Sequence, residues 1–239
     1  MRELKIRCSA IGRLMTEPKT KAEGPLSVGA KTAIREIAMQ DILGVQFEIS
    51  DRKLQKGIEV EGEAIALLNR VRGLDLVKNA ERRTDEYLTG EADLFDVVRR
   101  RGHDLKSAWS AQTFPGCVED VAAAQRVLYE WQMRGYMRLW DADEWEINYA
   151  LVNTPEHLIG YEPPTLHYVD HIAEAHRITT WTVKRDAEKE AAIVEKVKHA
   201  RIYYAEFCAE FDRTHGGQQA GPSPAPIAAP APIPDLIEF

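Results

Sequence analysis

Apolar residues change their period repeatedly along this chain, and the order of those changes restricts the fold more than any other feature. Residues 29–43 (GAKTAIREIAMQDIL) place apolar side chains at 34, 37, 38 and 42, and residues 57–71 (GIEVEGEAIALLNRV) behave likewise, so each predicts a helix. Residues 87–98 (YLTGEADLFDVV) and 102–107 (GHDLKS) read as strands joined by the basic turn Arg99-Arg100-Arg101. A helix follows over 119–139, where Val121, Ala124, Leu128, Trp131 and Gly135 recur at spacings of three and four. WEINYALV at 145–152 alternates as a strand does, and Ile193, Val197, Ala200, Tyr204, Phe207 and Phe211 mark a long C-terminal helix. Ser9 is placed to cap a short helix through Met15, with Pro18 just beyond it. Helix, hairpin, helix, strand, helix predicts an α/β fold with a mixed central sheet.

With 44% hydrophobic and 29% charged residues, the chain can bury a core, which excludes wholesale disorder. Its last two dozen residues differ: they lack basic side chains and are rich in Pro, Ala and Gly. The expected division is a folded domain over 1–213 and a disordered tail over 214–239, ending in the acidic, Phe-terminated tip PDLIEF. No apolar run approaches bilayer length, and the first residues do not open a signal peptide. Cys8, Cys117 and Cys208 are odd in number and far apart, which suits a reducing cytoplasm rather than a disulfide framework. A net charge of −7 excludes a generic polyanion binder, so any nucleic-acid contact must come from local basic runs. Those runs are Arg82-Arg83, Arg99-Arg100-Arg101 and Lys184-Arg185.

Asp104 and Lys106 are two residues apart, so on a strand both face the same way. Asp93 lies on the preceding strand, and Glu61 lies on the helix over 57–71, able to lean over the sheet. Three carboxylates suit a hard divalent cation such as Mg²⁺. A neighbouring lysine can orient or deprotonate a water and stabilise charge on a phosphoryl group. Taken singly, an Asp-x-Lys pair is also a common strand end. A flat hairpin turning at Arg100-Arg101 would oppose Asp104 to Val97, leaving Asp93 roughly 13 Å away along the strand. A bulge, twist or wider turn must close that gap. On the helix over 119–139, Gln132 and Tyr136 share a face at i and i+4. His167, His171 and His176 are spaced four and five apart but lack the cysteine or acid partners of a zinc site.

The order Gly57-x-x-x-Glu61-x-x-Ala64, Gly90-x-Ala92-Asp93, Asp104-x-Lys106, Gln132-x-x-x-Tyr136 resembles the PD-(D/E)XK nucleases. More narrowly, it is similar to the lambda exonuclease and YqaJ-type viral recombination exonucleases. Their Asp-x-Lys-Ser/Thr-x-Trp segment with a following Thr-Phe-Pro is matched by Asp104 to Trp109 and Thr113-Phe114-Pro115. Trp131 to Met137, Tyr149 to Pro155, and the opening Cys8 to Thr16 match as well, so the resemblance spans about residues 6–211. Two positions depart from the pattern: Asp104 stands where many members have Glu, and Ala92 replaces the proline of the superfamily's name.

The resemblance implies a restriction-endonuclease-like core with Asp93 and Asp104 as metal ligands and Lys106 as the catalytic lysine. Glu61, flanked by Glu59 and Glu63, would complete the acidic shell, and Gln132 with Tyr136 would form the RecB-type helix motif. It implies Mg²⁺, with Mn²⁺ as a substitute. An iron–sulfur cluster, as in CRISPR-associated RecB-like nucleases, needs four cysteines and this chain has three. Ser9 and Arg13 are candidates for holding a terminal 5′-phosphate, and Arg100 and Arg101 for DNA backbone contacts. The implied activity is digestion of one strand of linear double-stranded DNA from its 5′ end, in a phage or prophage recombination system. The implied setting is the cytoplasm of a bacterial host, as a homo-oligomeric ring, usually a trimer, with a single-strand annealing protein as partner. Two alternatives stand beside it: a RecB-like endonuclease or single-strand nuclease, and a catalytically silent DNA-binding protein of the same fold.

Overall fold

The structure, a computed structural model, describes residues 4–47 and 51–216. Its elements run β1 (Ile6–Arg7), α1 (Ile11–Leu14), α2 (Val28–Leu43), α3 (Arg52–Glu59), α4 (Glu61–Arg72), β2 (Arg82–Thr84), β3 (Leu88–Glu91) and β4 (Leu94–Asp96). There follow β5 (Arg101–Ser107), α5 (Ala123–Trp140), β6 (Glu144–Ala150), α6 (Glu156–Ile159), β7 (Ile178–Lys184) and α7 (Ala187–His215). The main sheet has the order β4-β5-β6-β7 and is mixed, because β5 and β6 run parallel while the outer pairs are antiparallel. A small sheet, β1-β3-β2, stands beside it.

One face of the main sheet packs on α5. There Trp145 and Ile147 of β6 meet Met133, Tyr136 and Met137 in a core that extends to Ile193, Val197 and Ala200 of α7. Trp145 is fully buried and lies flat over Gly102, where an added Cβ would fall 2.2 Å from the indole ring. The other face packs on α4 through Ala64, Leu67 and Leu68. Among the described residues, no helix is long and apolar enough to cross a membrane.

Local chemistry explains where the elements begin and end, and where the expected boundaries shift. Helix α2 starts because the Ser27 hydroxyl accepts the Ala30 N–H at 3.0 Å, and it stops at Gly44 with φ 67°. The helix expected over 57–71 is two helices. Asp51 caps α3 by accepting the Lys53 N–H at 2.8 Å, and the chain bends at Val60 (φ −100°, ψ 8°), so Glu61 opens α4. Ser9 does not cap a helix. It sits in a 3₁₀ turn over Cys8–Ala10, and Ala10 precedes α1 without a side-chain cap. The helix expected from 119 begins at Ala123, after a 3₁₀ turn over Val118–Asp120. The run 87–98 is not one strand: β3 and β4 belong to different sheets, parted at Ala92-Asp93. Strand β7, for which the apolar spacing predicts no element, pairs antiparallel with β6. The tail boundary expected at 213 falls inside the last turn of α7, and residues 217–239 lie outside the described residues.

The turn between β4 and β5 decides the geometry of the site. Its pairing is Leu94↔His103, Phe95↔Gly102 and Asp96↔Arg101, not the Val97–Asp104 opposition of a flat turn at Arg100-Arg101. Residues 97–100 form the turn. Arg100 takes the left-handed region at φ 51°, and Asp96 Oδ1 accepts the Arg99 N–H at 2.9 Å. Continued by one step, this register sets Asp93 level with Asp104, and the expected 13 Å gap disappears.

Candidate active site

Asp104 and Lys106 project from the α5 face of β5, the face that Gly102 shares with Trp145. The chain leaves β3 at Ala92, and Asp93 turns its carboxylate onto the end of β5, where Oδ2 accepts the Leu105 N–H at 2.7 Å. Lys106 Nζ lies 2.9 Å from Asp104 Oδ2, with the lysine a quarter exposed and the aspartate side chain 3% exposed. Burial, and then the neighbouring charge of Asp104, push the Asp93 carboxyl up to about 7, against the opposing effects of Lys106 and the Leu105 amide. Burial opposes the charge on Lys106, but the Asp104 and Asp93 carboxylates outweigh it and push its pKa up. Lys106 is therefore an ammonium across the neutral range.

Asp93 and Lys106 line a groove of about 1060 Å³, together with Glu61, Lys78, Tyr129 and Tyr149 among others, while Asp104 is buried beneath Lys106. One wall is α3, through Lys53, Leu54 and Ile58; the other is the loop at Phe114 and the start of α5. The Lys106 ammonium stands 5.0 Å from the centroid of the Tyr129 ring, whose hydroxyl accepts from Gln125 Nε2 at 2.6 Å. Tyr149, cross-strand from Lys106, stacks on Trp181 at 5.7 Å.

Glu61 reaches the groove from the first turn of α4, but its carboxylate is paired with Lys78. Among the described residues, no three His, Cys, Asp or Glu side chains converge as a ready metal cage. Asp93 and Asp104 nonetheless have the chemistry of a divalent site. Asp104 is buried and Asp93 partly so, the charge of Asp104 disfavours ionisation of Asp93, and both offer hard oxygen donors to a cation that would relieve that repulsion. Glu61 is close enough for its charge to act on Asp93, and would be the third donor.

The remaining expected residues are placed as follows. Gln132 Nε2 donates to the Tyr136 hydroxyl at 3.3 Å, behind the acidic pair rather than on the groove lining. Burial and the charge of Asp104 push the Tyr136 phenol up. Ser9 is exposed on its 3₁₀ turn, and Arg13 is committed to Glu36 at 2.6 Å; neither lines the groove. Arg100 pairs with Asp141 at 3.0 Å and Asp143 at 3.3 Å, and Arg101 pairs with Glu146 at 2.9 Å and with Glu144. Both lie at the far end of β5 from Lys106. His167 is buried between Thr154 at 3.0 Å and Glu162 at 3.2 Å.

Sequence reasoning missed three contributors. Lys78 and Tyr129 line the groove. Lys56, expected nowhere, is 0% exposed and donates to the carbonyls of Ala108 at 2.6 Å, Val152 at 3.0 Å and Trp109 at 3.1 Å, tying α3 to the strand ends beside Lys106. Lys78 stands in an aperiodic segment, and a lysine inside a helical run reads as solvated. Only Tyr129, seven residues before Tyr136 and so on nearly the same helix face, left a signal in the spacing.

No family model matches the sequence, and no curated protein does. Among solved structures, the chain is similar to a phage-related exonuclease from Haemophilus somnus 129PT, at 37% identity and a TM-score of 0.82. That match covers 88% of this chain and 97% of the other. The chain also shares the fold of the alkaline exonuclease LHK-Exo from Laribacter hongkongensis, at 16% identity and a TM-score of 0.63, over 89% of this chain and 94% of that one. LHK-Exo in complex with dAMP superposes with a TM-score of 0.57 at 15% identity, over the same shares. By its fold and by the 37% identity over almost the whole of that relative, this chain belongs to the phage-related exonucleases of the lambda-exonuclease and YqaJ type, in the PD-(D/E)XK nuclease superfamily.

Proposed function

We propose that this phage-type exonuclease is Mg²⁺-dependent and digests one strand of linear double-stranded DNA from the 5′ end, preparing ends for recombination by single-strand annealing. The observation that carries the reading is the convergence of Asp93, Asp104 and Lys106 at one strand end, with Asp93 and Lys106 opening onto the groove. Asp93 and Asp104, with Glu61, would hold the metal, which when bound supplies Lewis-acid activation of water and of the scissile phosphate.

The chain's own residues do the rest. Lys106, kept protonated by the two aspartates, donates hydrogen bonds to the attacking water or to a phosphoryl oxygen as negative charge develops. Tyr129 backs the ammonium and limits where it can swing. Asp93 stays level with Asp104 because its carboxylate is anchored to the Leu105 amide. The partners of this reading are double-stranded DNA ends, a single-strand annealing protein and further copies of the same chain.

The test is degradation by the purified chain with Mg²⁺ of linear duplexes labelled at either end, bearing 5′-phosphate or 5′-hydroxyl, with closed circles alongside. Loss of linear duplex from the 5′ end with circles spared is the expected result. Nicking of closed circles would instead establish an endonuclease.

A further inference from the structure

Lys78 is a cation held in place beside the acidic pair. It lines the groove with Glu61, Asp93 and Lys106, and its ammonium is paired with the Glu61 carboxylate. Its backbone is pinned on both sides. Asn69, on α4, accepts the Leu76 N–H through Oδ1 at 3.1 Å and donates through Nδ2 to the Leu76 carbonyl at 2.8 Å. One residue after Lys78, the Asn79 N–H donates to the carbonyl of Asp93 at 2.8 Å, and Asn79 Nδ2 donates to the carbonyl of Ala92 at 3.0 Å. The segment carrying Lys78 is therefore fastened to the helix of one acid and to the backbone of another.

Glu61 is the acid that this arrangement takes out of the site. Asp93 and Asp104 lie level with each other, close enough for the charge of Asp104 to act on Asp93, whereas the Glu61 carboxylate is turned onto an ammonium. Among the described residues no third acid completes the set. The Lys78 side chain is 58% exposed and that of Glu61 26%, so the pair is screened and weak enough to be exchanged for a divalent ion.

We propose that Lys78 is an internal counter-cation that a divalent ion must displace from Glu61, a positioning residue that sets how tightly the site takes its metal. The inference rests on the reading of Asp93, Asp104 and Glu61 as a divalent site. In it Lys78 lowers metal affinity twice, by occupying a donor and by repelling the incoming charge. Metal-free protein thereby keeps Glu61 neutralised instead of leaving three carboxylates to repel one another.

The experiment is calorimetric titration of Mn²⁺ into the full-length chain without DNA, so that the readout is binding and not turnover. Lys78→Met should bind Mn²⁺ about two- to fivefold more tightly than wild type at low salt. Lys78→Arg, which keeps the cation, should bind as wild type does. Unchanged or weaker binding by Lys78→Met overturns the inference, as does a gain in Lys78→Arg equal to that in Lys78→Met. Wild-type protein that binds no Mn²⁺ overturns the divalent-site reading itself, and Lys78 with it. Wild-type binding with an unaffected Lys78→Met overturns only the role of Lys78.

Discussion

The carboxylate of Asp93 accepts a hydrogen bond from the backbone of Leu105 at 2.7 Å, on the amide that separates Asp104 from Lys106. Two acids and a lysine are thus tied together by main chain as well as by charge, and a change at any of them acts on the others.

Lys106→Ala and Asp104→Ala should each abolish DNA hydrolysis while leaving the fold intact. Removing a group that stabilises developing charge costs about 10²–10³-fold in rate or more. The measurement is nucleotide release from linear duplex, with circular dichroism as the control for folding. Asp104→Ala should in addition weaken divalent-cation binding. A Lys106→Ala enzyme working at near wild-type rate would move the site elsewhere.

On the opposite face of β5 and β6, Glu146 meets the guanidinium groups of Arg101 and Arg72 beside the His103 ring, in a site where its side chain is 4% exposed. Arg101 Nη1 donates to it at 2.9 Å, Arg72 at 3.2 Å, and His103 Nδ1 stands at 3.2 Å. Burial alone would raise its pKa, but the hydrogen bonds of His103 and Arg72 outweigh burial and hold it at about 2. A folded pKa below the unfolded one means stability that is complete above about pH 4.3 and is lost as pH falls toward 2. Glu146→Gln should therefore lower stability at pH 7 by on the order of 3 kcal/mol. The gap to wild type should close between about pH 4 and pH 2, as read from thermal melts at each pH. A gap that stays constant with pH would exclude this origin.

What could be read beforehand follows from burial geometry. Residues 29–43 bury one helix face, and 145–149 alternate because Trp145, Ile147 and Tyr149 pack toward α5 while the polar Glu146 and Asn148 are buried on the other face. Both periods therefore survive in the sequence, and the structure moves the ends only to Val28–Leu43 and Glu144–Ala150. The break at Val60 was hidden because the apolar spacing of α4 continues that of α3 through the bend. Among the described residues strand β7 pairs only with β6, and it is half-exposed along most of its length, so Thr179, Thr180 and Thr182 blur its alternation. The Asp104-x-Lys106 pair was legible because a strand repeats every two residues. Its distance from Asp93 was not, since the turn depends on Arg100 entering a region that non-glycine residues seldom adopt. The pairing of Lys78 with Glu61 left no trace in any spacing, because hydrogen bonds from Asn69 and Asn79 build it across irregular chain.

Gly102→Ala tests the close approach under Trp145. A Cβ there would lie 2.2–2.3 Å from three atoms of an indole that is itself 0% exposed. The ring stacks on Tyr136 at 5.1 Å and meets Trp140 at 6.1 Å, so it has no free direction in which to move. Overpacking of this kind costs about 1–3 kcal/mol or more, seen as a lower denaturant midpoint. Because Gly102 is two residues from Asp104 on the same face, activity should fall along with stability.

Lys56 carries the last prediction. Its ammonium is buried against the carbonyls of Ala108, Trp109 and Val152, and burial pulls its pKa down to about 8. The charge of Glu63 opposes that shift, and the group stays an ammonium at pH 7. Lys56→Met fills the same space with an apolar chain and removes every donor. The Trp109 carbonyl would keep the Thr154 hydroxyl at 3.0 Å, leaving those of Ala108 and Val152 without the ammonium. Burying an unpaired carbonyl costs about 1–3 kcal/mol, so Lys56→Met should lose about 2 kcal/mol or more in chemical denaturation. Helix α3 forms a wall of the groove and leads directly into Glu61, so hydrogen exchange should rise in α3 and at residues 108–109 ahead of the rest of the chain. Unchanged stability with unchanged exchange in α3 would mean that this clamp does not hold the groove wall.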